Sequence, residues 1–262
     1  MASFLDLFKI SVDLNNPNFT NFNQINFSGV NSWDFNLKSK IPFKKNERYL
    51  QIAFNNDLSE AIRVIPKIPK NPNIIIEAGT PFIKKEGIRG IRTLSLLWGG
   101  KVVADLKTID GAIQELDFLY NTNASCATVL ANASVETINL FISECQKRNI
   151  ESMVDMIGIE DPLSVLRKLK KPPKVIVIHK GRDEESTNGK LIKYRHINKI
   201  RSKYDVIISA AGGVDEKEAR SAIFNGANIV VINVVNSSDG LTGINSYGDI
   251  SKIVAKYLEI LK

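Results

Sequence analysis

The stretch YDVIISAAGGVDEKEARSAIFNGANIVVINV, residues 204–234, decides the fold class. Two apolar runs, 204–211 and 227–234, flank a segment that begins with Asp215 and ends with Gly226. Aspartate is a common N-cap residue and glycine a common C-cap residue, so the middle segment predicts an α-helix. Strands that are apolar along their whole length are typical of parallel sheets covered on both faces. The stretch therefore predicts a strand, a helix and a second strand parallel to the first.

The same alternation extends over the chain from residue 48 onward. Helical segments follow the cap residues Asp57, Ser134 and Asp161, and residues 246–262 have apolar side chains at helical spacing. Eight strand–helix alternations favour an α/β architecture, a closed (β/α)8 TIM-type barrel over residues 48–262, with an open doubly wound sheet as the alternative. The predicted strands are 49–54, 73–78, 101–106, 124–131, 151–159, 174–179, 204–211 and 227–234.

Residues 1–47 have a different character. They are rich in Asn and Phe, show little periodicity and contain turn-like pieces such as LNNPN and NFSGVNS. We interpret them as an N-terminal extension of short irregular elements. Its Phe residues indicate that it packs on the surface of the barrel domain or on a partner subunit.

Composition limits the class of protein. Hydrophobic residues make up 44% and charged residues 24% of the 262 residues, which is ordinary for a globular protein. No apolar run reaches the ~18 residues that a membrane span needs, and the beginning MASFLDLFKI lacks the pattern of a secretory signal. Cys126 and Cys145 form no metal-type C-x-x-C pair. We therefore expect a cytoplasmic protein without a membrane anchor.

The formal net charge of +7 raises the question of a nucleic-acid partner. The densest basic runs, 38–48 and 168–174, are not interleaved with aromatic residues as a base-stacking surface would be. We interpret both runs as solvated faces and expect no nucleic-acid binding. A mild positive field favours a small anionic substrate such as a phosphate ester.

Polar residues cluster where the predicted strands end. In a (β/α)8 barrel these ends surround a single mouth, which is where active sites of this fold lie. A purely structural barrel is not expected to carry so many charged groups there. The residues are Asn55, Glu77, Asp105, Lys107, Asp110, Asp155, His179, Arg182, Gly212 and Gly213.

The segment ADLKTID, 104–110, contains the most informative part of this ring. Asp105 and Lys107 point to the same side of a strand, because side chains alternate with period two. A structural ion pair at a strand end is the simpler interpretation. The functional interpretation is that Lys107 supplies positive charge to a reaction intermediate while Glu77 and Asp105, on neighbouring strands, hold Mg²⁺.

Two further features of the ring suggest roles. His179 has a pKa range suited to proton transfer, whereas His196 lies in a helical stretch and is expected at the surface. The Gly212–Gly213 turn precedes a helix, so its backbone N–H groups are candidates for binding a phosphate.

Five motifs together resemble the orotidine 5′-monophosphate decarboxylase suprafamily. The likeness is greatest to its 3-hexulose-6-phosphate synthase branch, with the 3-keto-L-gulonate-6-phosphate decarboxylases as near kin, and it covers residues 48–262. The motifs are IEAGTP (76–81), ADLKTID (104–110), MVDMIG (153–158), VIVIHKGRDEE (175–185) and AAGGVD (210–215).

The resemblance implies a barrel that works as a homodimer with active sites shared between subunits. It implies Glu77 and Asp105 as Mg²⁺ ligands, Lys107 as the group that stabilises a cis-enediolate, and His179 as the group that transfers protons. It also implies that Asp110 reaches into the neighbouring subunit's site. The implied reaction is a reversible aldol addition of formaldehyde to ribulose 5-phosphate, which gives arabino-3-hexulose 6-phosphate.

Asp155 and Arg182 bear on the choice between branches. Asp155 lies where the decarboxylase branch has a glutamate. Arg182 resembles the arginine of the H-x-x-R motif in that same branch. A gulonate-phosphate type of decarboxylase therefore stays open as an alternative to the aldolase.

The sequence departs from the family pattern at two strand ends. Asn55 replaces an aspartate that contacts substrate hydroxyls, and it keeps the shape but loses the charge. Asn233 and Val234 replace the glycines or arginine of a phosphate-binding turn after the eighth strand. We keep Asn233 as a candidate substrate ligand. A different sugar phosphate as substrate, or a non-catalytic binding or structural role, is an alternative.

Overall fold

The computed structural model describes residues 42–184, 192, 194–236 and 242–262. Within these ranges, eight parallel strands follow one another in chain order around a closed barrel, because β1 pairs with β2 on one side and with β8 on the other. The open-sheet alternative is excluded and the (β/α)8 barrel is confirmed. Of the predicted extension over residues 1–47, residues 1–41 lie outside the described residues. The strands are β1 Tyr49–Phe54, β2 Ile74–Ala78, β3 Val102–Thr108, β4 Cys126–Leu130, β5 Glu151–Asp155, β6 Val175–His179, β7 Ile207–Ala211 and β8 Ile229–Val235.

Helices surround the strands, and the cap residues chosen from sequence begin four of them. The side chains of Asp57, Ser134, Asp161 and Asp215 each accept a hydrogen bond from a backbone N–H in the first turn of the following helix. In the described part of the chain the α-helices are α1 Leu58–Val64, α2 Thr80–Trp98, α3 Ala112–Asp117, α4 Val135–Lys147, α5 Pro162–Leu166, α6 Ile197–Arg201, α7 Glu216–Phe224 and α8 Ile250–Ile260, with 3₁₀ turns at Ile65–Lys67 and Tyr194–His196.

Seven of the eight predicted strands differ from the structure by one to four residues at one or both ends, and one short strand was missed. β5 ends at Asp155 instead of residue 159, and β3 continues to Thr108 instead of residue 106. A two-residue strand, β9 Ile244–Asn245, pairs with the end of β8. Such a short strand has no periodicity from which it could be predicted. Its effect is to extend the sheet beyond the eighth barrel strand.

The barrel interior is a packed core below the mouth. Inward-facing side chains such as Ile75, Val103, Met153 and Ile229 form one apolar cluster, separate from the cluster between strands and helices. Phe43, which precedes β1, belongs to the interior cluster, and its ring lies edge-on to Tyr49 at 5.1 Å between centroids. This part of the predicted extension therefore packs inside the barrel, where it fills the end opposite the mouth.

None of the described helices is long and apolar enough to cross a membrane.

We predict that both cysteines are unreactive in the native protein. Cys126 and Cys145 are free thiols with no exposed surface, and burial raises the pKa of the Cys126 thiol to about 12 and that of Cys145 in the same direction. Because the thiolate is the nucleophile, Ellman's reagent at pH 8 should label neither thiol in native protein. Two thiols per chain should react after unfolding in guanidinium chloride. Rapid labelling of either cysteine in native protein would contradict the packing described.

Candidate functional site

The mouth of the barrel contains a cavity of about 350 Å³ at the C-terminal ends of the strands. Most of the residues selected from sequence meet there: Asn55, Glu77, Asp105, Lys107, Asp155, His179, Arg182, Gly212 and Asn233. Asp110 and Gly213 do not line it. The ring of polar strand ends is thus a single site, as the barrel topology predicts.

An ion cluster around Lys107 forms the centre of this site. The Lys107 ammonium nitrogen lies 2.6 Å from Oδ2 of Asp155 and 3.1 Å from Oδ2 of Asp105. Burial alone would lower the pKa of Lys107, but the two carboxylates outweigh it and raise the pKa above its ordinary value. The ammonium therefore stays charged at neutral pH. The ion pair that was considered as a structural feature exists, and it lies in the wall of a cavity.

Asp155 connects this lysine to the histidine. Nδ1 of His179 lies 2.8 Å from Oδ2 of Asp155, the oxygen that also accepts from Lys107. Burial would raise the pKa of Asp155, but His179 and Lys107 together lower it to about 2. Burial would lower the pKa of His179, but the Asp155 carboxylate outweighs it and raises that pKa. One carboxylate thus fixes both cations and leaves the other nitrogen of the imidazole available for proton transfer.

An irregularity in β3 places Asp105 and Lys107. Between Ala104 and Thr108 the strand advances four residues while the paired β4 advances two. Lys107 adopts a φ of 49°, in the left-handed region that residues with a side chain rarely occupy. Its backbone N–H donates to the Thr128 hydroxyl at 2.9 Å, and that hydroxyl donates to Asp105 Oδ1 at 2.8 Å. A strained backbone at a cavity wall is typical of functional sites.

Glu77 is the second carboxylate of the predicted metal site. It is buried beside Asp105 on the neighbouring strand and accepts a short hydrogen bond from Gln51 Nε2. Burial and the Asp105 charge raise the pKa of Glu77 to about 7. Lys107 pairs with Asp105, and no ion pair to Glu77 occurs among the described residues. One or two carboxylates plus waters is the ligand set that Mg²⁺ accepts. The donor chemistry therefore fits a magnesium ion, although no cluster of three or more His, Cys, Asp or Glu ligands occurs in the described ranges.

Two of the three residues that depart from the family pattern contact each other. Asn55 Nδ2 donates to Asn233 Oδ1 at 3.0 Å, across the β1–β8 junction that closes the barrel. Gly79 allows this placement, since a Cβ atom on it would lie 2.2 Å from Asn55 Oδ1. The two replacements thus form one amide pair at the cavity wall.

Of the two glycines in the turn after β7, Gly212 lines the cavity and Gly213 does not. Gly212 adopts a φ of 107°, and a Cβ atom on it would lie 2.2 Å from the Lys180 carbonyl oxygen. The turn therefore requires glycine where two strand ends approach closely. Helix α7 begins only at Glu216, and the Asp215 side chain already accepts one of its first N–H groups. The helix therefore begins after Asp215, as the sequence predicts, and residues 214 and 215 separate it from the Gly212–Gly213 turn.

Asp110 and His196 lie outside the cavity. Asp110 is exposed at the end of β3, beside Ile109 with 51% of its surface exposed. A role for Asp110 in a neighbouring subunit's site stays a prediction. His196 is half-buried, and Arg195 Nε donates to its ring nitrogen.

Sequence reasoning missed several residues that line the cavity. Thr80 donates to the Asp105 carboxylate at 2.9 Å, and Thr128 orders both Asp105 and Lys107. Hydroxyl residues are too common to stand out in a sequence. Gln51 lies four residues before Asn55, so the alternation of side chains along a strand places both on the same face and could have identified Gln51. The missed polar residues are Gln51, Thr80, Thr128, Lys180 and Asp183.

Residues 48–233 match the profile of the Orotidine 5′-phosphate decarboxylase / HUMPS family. The chain belongs to this family. Among its members, the chain is 35% identical over 186 residues to the bifunctional enzyme Fae/Hps of Methanothrix thermoacetophila, which covers 70% of this chain and 47% of that protein. It is 37% identical over 195 residues to the Fae/Hps of Methanosarcina barkeri, covering 73% and 49%. The chain thus spans about half the length of these curated relatives.

Solved structures of family members have the same fold. The 3-hexulose-6-phosphate synthase of Salmonella typhimurium superimposes with a TM-score of 0.70 at 25% identity, covering 81% of this chain and 98% of that one. Another 3-hexulose-6-phosphate synthase gives a TM-score of 0.68 at 27% identity, with 82% and 100% covered. The 3-keto-L-gulonate-6-phosphate decarboxylase of Vibrio cholerae, at 19% identity and a TM-score of 0.63 over 82% of this chain and 98% of its own, shares the fold.

We predict that Asp155→Asn lowers the pKa of His179. The substitution removes the negative charge that raises this pKa and leaves the burial that lowers it. Because the chain has two histidines, His179 and His196, a pH titration followed by proton NMR can resolve both rings. His196→Gln assigns the signals, and the pKa of His196 serves as the internal control. An unchanged pKa of His179 in Asp155→Asn would show that the pair does not form.

Proposed function

We propose that the protein is a magnesium-dependent aldolase of the 3-hexulose-6-phosphate synthase type. It would interconvert formaldehyde plus ribulose 5-phosphate with arabino-3-hexulose 6-phosphate. The observation that carries the proposal is the cluster in which Asp155 binds both Lys107 and His179 next to the carboxylates Asp105 and Glu77. The names of the curated relatives and of the two synthase structures support it.

The reaction needs an enediolate, and the site supplies what this anion requires. A proton leaves the carbon of ribulose 5-phosphate next to its carbonyl, a bond to the carbon of formaldehyde forms, and a proton returns to the formaldehyde oxygen. Lys107, charged at neutral pH, stabilises the negative oxygen as it develops. His179 accepts a proton in its neutral form and donates one in its charged form, held in orientation by Asp155.

Glu77 and Asp105 would hold the magnesium ion. A magnesium ion bound there supplies Lewis-acid polarisation of the substrate oxygens. Thr80 and Thr128 each donate a hydrogen bond to one oxygen of the Asp105 carboxylate, which fixes the orientation of its remaining lone pairs. Gln51 fixes Glu77 in the same way from the barrel interior.

A decarboxylase acting on a related sugar phosphate is the second candidate. Arg182 lines the cavity three residues after His179, as the H-x-x-R motif of that branch requires. Asp155 in place of a glutamate favours the aldolase.

The expected homodimer and cytoplasmic location belong to this proposal. Exposed Asp110, with Ile109 and Ile113 exposed beside it, would lie at the subunit interface. The free, buried thiols are compatible with a reducing compartment.

We predict magnesium-dependent release of formaldehyde from arabino-3-hexulose 6-phosphate, lost on addition of a chelator. Lys107→Ala should lower kcat by at least ~10²-fold, because it removes the cation that stabilises the enediolate. Lys199→Ala, which truncates an exposed side chain of helix α6, is the matched control and should retain wild-type turnover. Formaldehyde is measured by a colorimetric assay. Folded wild-type protein that releases none would favour the decarboxylase, tested by CO₂ release from 3-keto-L-gulonate 6-phosphate, or a non-catalytic role.

We predict that Glu77→Gln weakens Mg²⁺ binding by about tenfold or more, since it removes one of two charged ligands. Isothermal titration with MgCl₂ measures this without turnover. Glu115→Gln, a carboxylate on α3 outside the cavity, should bind Mg²⁺ as the wild type does. Equal affinity in wild type and Glu77→Gln would place the ion elsewhere.

A further inference from the structure

The charges of the cavity divide it into two sides. Glu77 and Asp105 lie on β2 and β3, where an anionic group would be repelled unless a cation intervenes. Arg182 lies beyond β6, and Lys180 lies beside it. Among the cavity residues that the structure describes, Asp183 is the single acid on the β6–β8 side, where the two cations outnumber it. If the substrate is a sugar phosphate, as proposed above, its anionic end lies on this side.

The last two residues of β8 belong to a paired strand and do not form an open turn. Val234 and Val235 continue the strand and pair with Ile244 and Asn245 of β9. A Cβ atom on Gly243 would lie 2.2 Å from the Asn233 carbonyl oxygen, so this segment lies directly against the strand. At positions 233–235 a side chain must therefore supply the donors that a glycine turn would supply from its backbone.

The Asn233 side chain has such donors. Its Oδ1 accepts from Asn55 Nδ2 at 3.0 Å, which leaves the amino group as the free end of the carboxamide. Within the described ranges, this amino group meets no protein acceptor, although Asn233 lines the cavity. Two N–H donors at a cavity wall suit a phosphate oxygen.

Asn55 determines which end of the carboxamide is free. Its Oδ1 lies on the side of Gly79, 2.2 Å from where a Cβ atom on that residue would be, and its Nδ2 donates to Asn233 Oδ1 at 3.0 Å. Its Nδ2 is therefore the end directed at Asn233. An aspartate at position 55 could only accept, and it would draw the amino group of Asn233 toward itself and away from the cavity.

We propose that Asn55 is a positioning residue that turns the Asn233 carboxamide so that its amino group binds the phosphate end of the substrate. The inference rests on the proposed sugar-phosphate substrate. It assigns a specificity function to two of the residues by which this chain departs from the pattern of its family. Asn55 acts through Asn233 and makes no contact of its own with the phosphate.

The test measures binding, so it does not depend on turnover. Titration of the full chain with ribulose 5-phosphate by calorimetry gives one dissociation constant, and titration with unphosphorylated ribulose by NMR gives another. Asn233→Asp keeps the acceptor for Asn55 and replaces the amino group by an oxygen. It should weaken ribulose 5-phosphate binding by about tenfold or more, the range for a hydrogen bond to a charged group, and leave ribulose binding unchanged. Asn225→Asp, at the far end of α7, makes the same charge change and should have no effect.

A double-mutant cycle tests the positioning role. Asn233→Ala and Asn55→Ala should each weaken ribulose 5-phosphate binding, Asn55→Ala by roughly threefold to tenfold as for one neutral hydrogen bond. The double variant should bind as weakly as Asn233→Ala alone, because Asn55 acts only through Asn233. Thermal unfolding confirms that each variant is folded.

Three results would overturn the inference. Additive effects in the cycle would mean that Asn55 contacts the ligand itself. Wild-type affinity in Asn233→Asp, or an equal loss for ribulose, would mean that the phosphate lies elsewhere. A wild-type protein that binds neither compound would refute the sugar-phosphate substrate and this assignment together. Normal binding behaviour without formaldehyde release would refute the proposed reaction alone.

Discussion

The pairing of β1 with β8 is the constraint on which the site depends. It closes eight parallel strands into a ring, so that residues as far apart in sequence as Asn55 and Asn233 come within hydrogen-bonding distance. An open sheet would have spread the same strand ends along a line tens of ångströms long, at roughly 4.8 Å per strand. In the ring, the carboxylates, the lysine and the histidine instead share about 350 Å³. Closure therefore makes the chemistry possible, and it brings the cost of placing several charges close together.

The Asp155 carboxylate offsets much of that cost. It is almost fully buried, which would normally favour its neutral form, yet two cations hold its pKa at about 2. The same interactions raise the pKa of Lys107 and of His179, which favours the charged form of both side chains. Glu77 has the opposite balance, because burial and then the neighbouring Asp105 charge raise its pKa to about 7. The proposed magnesium ion would supply the positive charge that this carboxylate pair needs.

The sequence predicted the parts of this arrangement that depend on repetition. Apolar runs and cap residues recur at each alternation, so the strand count, the barrel and the ring of strand-end residues followed from them. The irregularity in β3 could not be predicted, because the segment ADLK reads the same whether the strand is regular or contains extra residues. Thr80 and Thr128 were hidden for another reason: their role depends on the neighbouring strands that orient them. The short strand β9 could not be predicted either, because two residues are too few to show an alternation of apolar and polar side chains.

The Asn55–Asn233 pair shows why position-by-position comparison with a family can mislead. Taken singly, Asn55 loses a carboxylate and Asn233 loses a glycine turn, and each change points to weaker substrate binding. Taken together, they form one hydrogen bond, and either residue without the other would leave a polar group at the cavity wall without its partner. With an aspartate at position 55, the Asn233 amino group would turn toward that aspartate and away from the cavity. With a glycine at position 233, the Asn55 amino group would have no acceptor. Gly79 lies against the Asn55 side chain, and Gly243 lies against the backbone carbonyl of Asn233, so the pair is a built element of the barrel mouth.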